Sequence, residues 1–80
     1  MSASIEEIQS CVREALGDVR EVIVEDLTGG GDHFRIQVHS PVFVGKPLLE
    51  QHRLVQSALR SFLDSGKIHA IEVKTVPIES

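Results

Sequence analysis

Three consecutive glycines, Gly29-Gly30-Gly31, separate two runs that have the character of β-strands. Glycine reaches positive φ without steric cost and weakens regular elements, so Thr28-Gly29-Gly30-Gly31-Asp32 predicts a turn or loop. Before it, Glu21-Val22-Ile23-Val24-Glu25 is short and β-branched. After it, Phe34, Ile36 and Val38 alternate with Arg35, Gln37 and His39, the period of a strand with one buried face. The two runs predict a hairpin, ended by Ser40-Pro41.

The remaining apolar positions follow a helical period or end in a third strand. Ser4-Ile5-Glu6-Glu7 reads as a capping box, and Ile5, Ile8, Val12, Ala15 and Leu16 continue at helical spacing until Gly17. A first helix over 4–16 follows. Pro47 suits the first turn of a second helix, in which Leu48, His52, Val55, Leu59 and Phe62 share a face flanked by Leu49, Ala58 and Leu63. Gly66 closes it near residue 65. From Lys67 to Thr75, His69, Ile71 and Val73 alternate with Ile68, Ala70, Glu72 and Lys74, a third strand with His69 in phase with Ile71 and Val73. The order predicts an α+β domain over 1–80: a three-stranded mixed sheet with two helices on one face, and a short extra turn near 46–50.

Eighty residues allow one core and no deep cleft, and with only three Phe that core must be built from Val, Ile and Leu. No apolar run is long enough to span a bilayer, and no basic segment precedes an apolar one at the N-terminus. A soluble cytoplasmic protein is expected. Net charge is −4, with −5 over residues 1–40 and +1 over 41–80, which does not favour strong binding to duplex phosphate. Lys46, Arg53 and Arg60 recur every seven residues as a basic stripe, ordinarily a solvated helix face, with Lys67 and Lys74 nearby.

No catalytic set is visible. His33, His39, His52 and His69 include no pair at zinc-site spacing, and Ser40, Ser57 and Ser61 lack a nucleophile's turn. The glycine run lacks a GK[ST] ending and precedes a strand, unlike a phosphate loop. A non-enzymatic role is expected. Cys11 has no disulfide partner and shares the apolar side of the first helix with Ile8 and Ala15, which reads as a buried small hydrophobe. His52 shares a stripe with Leu48 and Val55 and reads as structural, whereas His39 reads as solvent-facing.

His69 lies at a strand start after the Gly66 turn, either a core imidazole bonded to a carbonyl or a half-exposed functional one. His33 opens the middle strand and by parity points away from the Phe34 face, opposite to the side expected for His69. Bending of the glycine loop would be one way to bring the two rings together.

Two ungapped segments, Phe43 to Val55 (Phe43-Val44-Gly45-Lys46-Pro47-Leu48 and His52-Arg53-Leu54-Val55) and Ile68-His69-Ala70 through Lys74-Thr75, resemble the BolA family. Gly31-Asp32-His33-Phe34-Arg35-Ile36 adds to the match. The resemblance implies a fold like a class II KH domain, here without the GXXG clamp. It implies partnership with a monothiol glutaredoxin carrying a CGFS motif, in a heterodimer that holds a bridging 2Fe–2S cluster. In that family glutathione and the glutaredoxin supply thiolates, and the histidine matching His69 supplies an imidazole. A loop His or Cys often supplies the other. Gly31 stands where some members carry Cys, leaving His33 as the loop candidate. Imidazoles in place of thiolates remove negative charge, raise the potential and make ligation proton-sensitive.

The role implied is cluster trafficking or assembly, or iron and redox regulation, by a chain monomeric or weakly homodimeric when alone. The alternative reading is a DNA-binding transcriptional regulator using a helix-turn-helix-like region, with Lys46, Arg53, Arg60 and Lys67 on phosphates. The negative net charge and the lack of aromatic stacking platforms weigh against it.

Overall fold

The computed structural model describes residues 3–79. Helix α1 (Ile5–Leu16) precedes strands β1 (Glu21–Asp26) and β2 (His33–Ser40) and a 3-10 turn, Pro41–Phe43. Helices α2 (Leu48–Ala58) and α3 (Arg60–Asp64) lead to strand β3 (Ala70–Pro77). The sheet order is β1-β2-β3, with β1 and β2 antiparallel and β2 and β3 parallel, a mixed sheet as the alternation predicts. The extra turn sits at Pro41–Phe43 rather than near 46–50, because the Ser40 hydroxyl accepts the Val42 N–H at 3.1 Å and caps it there.

Helix α1 begins as its sequence dictates. The Ser4 hydroxyl accepts the Glu7 N–H at 3.1 Å, and the Glu7 carboxylate accepts the Ser4 N–H at 3.0 Å. Ile8 and Val12 are buried, but Ile5 is on the surface and Ala15 is exposed, so the buried stripe is narrower than the apolar one. The helices cover the sheet face formed by Val22, Val24, Phe34, Ile36 and Val38, and Phe43, Val55, Leu59 and Ile68 complete the core. The opposite sheet face is open.

Helix α2 departs from its apolar pattern in its first turn and keeps it at Val55. Leu48 and Leu49 are each 62% exposed, whereas Gln51 and Val55 are buried and His52 is half-buried. Gln51 is admitted because its polar atoms are all satisfied. Its Nε2 donates to the carbonyls of Lys46 (2.8 Å) and Phe43 (3.4 Å), and its Oε1 accepts the Thr75 hydroxyl at 2.5 Å. The expected single helix is divided at Leu59, whose backbone (φ −106, ψ 10) leaves the helical region while its side chain stays fully buried. Gly66 then turns the chain at φ +78, a conformation that a β-carbon would strain, and the Ile68 N–H bonds back to the Phe62 carbonyl at 3.1 Å.

Strand β3 starts later than its alternation implies. The Asp32 carbonyl accepts both the His69 N–H (2.8 Å) and the Ala70 N–H (3.2 Å). Two successive donors on one acceptor break the two-residue repeat, so parity is lost ahead of Ala70. Ile68 is therefore buried at 1% exposure, and His69 does not share the inward phase of Ile71 and Val73.

Candidate functional site

The two histidines singled out by the sequence lie at the same end of the sheet. In the parallel β2–β3 ladder His33 is the register partner of Ala70, which places His69 beside the start of β2. Sheet register brings the two together without bending the glycine loop. His33 faces the open side of the sheet and is exposed, while Phe34 beside it is buried at 1%. The His69 side chain is 64% exposed. It is held by its own backbone and leaves its ring accessible, so the core-histidine alternative does not describe it.

Asp32 precedes His33 in the chain, and its side chain approaches His69. Its carboxylate Oδ2 is 4.0 Å from Nδ1 of His69, and its Oδ1 accepts the Thr28 hydroxyl at 2.7 Å. The Thr28 bond is the main cause holding the Asp32 carboxyl below its ordinary value; burial opposes it, and His33 and then His69 add to it.

The glycine loop is tied down rather than loose. Both oxygens of Asp26 are used: Oδ1 accepts the N–H groups of Thr28 (3.2 Å) and Gly29 (2.9 Å), and Oδ2 accepts that of Gly31 (3.0 Å). An Asp followed closely by Thr-Gly is a recognisable sequence signal for such a side-chain-closed turn. That signal foretells the Asp26 contacts. Asp32 carries no comparable signal, because its role depends on a β3 residue distant in sequence.

Cys11 is far from this end. Its thiol donates to the Ala58 carbonyl at 2.8 Å between α1 and α2, and burial, with the charge of Glu14 second, pushes its pKa up. The basic residues are divided. Arg53 and Arg60 border one groove with Leu63 and Ile71, but Arg60 is 3.6 Å from Asp64. Lys67 is directed to α1, with Nζ 2.7 Å from Glu7 Oε2 and 5.1 Å from the Phe62 ring centre. Lys46 lies in the exposed turn before α2.

Among the described residues, no group of three or more His, Cys, Asp or Glu side chains is placed to hold a metal ion. His33 and His69 fit a coordination sphere completed by another molecule, because both are exposed at one end of the sheet and imidazole is a good ligand for iron. No helix among the described residues is long and apolar enough to cross a membrane.

The fold defines a small α+β domain that exposes two imidazoles and a carboxylate at one end of its sheet. The BolA-like protein family model matches residues 12–79, and the chain belongs to that family. Mouse BolA-like protein 2 is 40% identical over 99% of this chain and 91% of its own. The structure of BolA1 from Arabidopsis thaliana superposes with a TM-score of 0.82 at 28% identity, covering 100% of this chain and 99% of that one. The solution structure of yeast Fra2 superposes with a TM-score of 0.75 at 33% identity, covering 94% and 80%.

Proposed function

We propose that this chain is a partner of a monothiol CGFS glutaredoxin and contributes His69, with His33, to a 2Fe–2S cluster bridging the two proteins. The supporting observation is the placement of two exposed imidazoles at one end of the sheet in a BolA-like chain. When bound, the cluster supplies one-electron and cluster-transfer chemistry. The protein's part is to present imidazole nitrogen in place of thiolate sulfur, which lowers the negative charge on the cluster.

Anaerobic mixing of the chain with a CGFS glutaredoxin, glutathione, iron and sulfide tests the reading by absorption and EPR. A heterodimer with a mixed nitrogen/sulfur signature is expected. A glutaredoxin homodimer spectrum unchanged by adding the chain contradicts it. The same complex is expected to persist from low to moderate salt, whereas phosphate-driven DNA binding falls steeply over that range. The DNA reading gains no support from the basic residues, since Arg60 and Lys67 already have acidic neighbours within the chain.

A further inference from the structure

We propose that Asp32 is a positioning residue for His69, keeping Nδ1 of the imidazole turned toward the protein as the protonated nitrogen and presenting bare Nε2 to the partner. The inference rests on the proposed cluster function for its purpose, but its physical content belongs to the chain alone.

Three features carry it. The first is the backbone: the Asp32 carbonyl holds the N–H groups of both His69 and Ala70, so Asp32 and His69 are fixed relative to each other. The second is orientation. Asp32 Oδ2 is 4.0 Å from Nδ1 of His69, the ring nitrogen nearer the main chain. The χ2 well of histidine is broad, so ring rotation together with a shift of the carboxylate brings Nδ1–H into hydrogen-bond range. The third is a brace. Asp32 Oδ1 is occupied by the Thr28 hydroxyl at 2.7 Å, and Thr28 is itself held by Asp26, so the carboxylate has one oxygen left and it faces His69.

A ligating histidine that gives its other N–H to a carboxylate has its tautomer and ring direction fixed, and its basicity raised. The ring here is 64% exposed on its outer side, which leaves Nε2 accessible. An unassisted imidazole favours the other tautomer, with the proton on Nε2, so the device selects the donor atom rather than merely stabilising the fold.

Long-range proton–nitrogen correlation spectra of the 15N-labelled full chain, recorded above the histidine titration range, test the proposal directly. His69 is expected to show protonated-type Nδ1 and bare-type Nε2. Asp32→Asn makes the sharper prediction. Thr28 continues to donate to the amide oxygen, so the amide NH2 faces Nδ1 as a donor and the tautomer reverses. Asp32→Ala keeps the backbone acceptor and returns His69 to the unassisted preference, while His39 and His52 stay unchanged in both variants. The same His69 tautomer in the wild type and in Asp32→Asn overturns the proposal.

The second arm uses the heterodimer with a CGFS glutaredoxin and glutathione, where Asp32→Asn is expected to weaken cluster retention by about 10- to 100-fold. Retention at the wild-type level in Asp32→Asn, with His69 still a ligand, overturns the presenting role. The wild-type tautomer predicted here, found in a chain that takes no cluster with the partner, refutes the glutaredoxin reading and supports the Asp32 assignment.

Discussion

The Cys11 thiol donates to the Ala58 carbonyl, with Sγ 2.8 Å from the oxygen, and burial, then the Glu14 charge, raises its pKa. A thiol that resists ionisation is a poor nucleophile and a poor ligand. Alkylation of the folded chain near pH 8 is expected to be far slower than in denaturant, and Cys11→Ala to cost about 1 kcal/mol in urea unfolding while leaving partner binding intact. Equal alkylation rates in the folded and unfolded chain contradict this. Glu7 has the opposite shift. Its bond to Lys67, followed by that to the Ser4 N–H, holds its carboxyl below the ordinary 4.5. A lowered folded value means stability that is present above the unfolded value and lost as pH falls through the folded one. Glu7→Gln should therefore lower Tm at neutral pH, with the difference from wild type closing as pH falls below 4.5.

At the scale of elements, the legible parts were those whose signals are local. The Ser4–Glu7 box, the glycine loop and the β1–β2 alternation each act within a few residues, and each appears where the sequence places it. The first turn of α2 departs from the apolar pattern because burial of Gln51 depends on three partners, Phe43, Lys46 and Thr75, and the last lies 24 residues away. Leu48, the more apolar residue, is left on the surface. Gln51→Leu removes the amide and leaves the Lys46 carbonyl and Thr75 hydroxyl without it. A loss of about 1–3 kcal/mol in chemical unfolding is expected, although the new residue is more hydrophobic. An increase in stability contradicts the account. The phase of His69 failed for a related reason: the shared Asp32 carbonyl breaks the alternation, and alternation alone does not foresee a shared acceptor.

Across the whole molecule, topology does what no segment does by itself. Parallel pairing of β2 with β3 sets His33 opposite Ala70, so residues 36 positions apart in the chain, His33 and His69, stand at one end of the sheet. The family was legible from the Phe43–Val55 and Ile68–Thr75 segments. The support given by Asp32 was not, since nothing local announces it. The Cys11 thiol is engaged by the Ala58 carbonyl, and Lys67 by Glu7 of α1. The account's central claim is that His69 ligates a cluster shared with a CGFS glutaredoxin. Pulsed EPR of the reduced heterodimer, prepared with wild-type chain and with His69→Ala, tests it most directly. The account predicts strong nitrogen hyperfine coupling in the wild type and its loss or marked weakening in His69→Ala, with the fold intact by circular dichroism. The same nitrogen coupling, undiminished in the His69→Ala heterodimer, would contradict it.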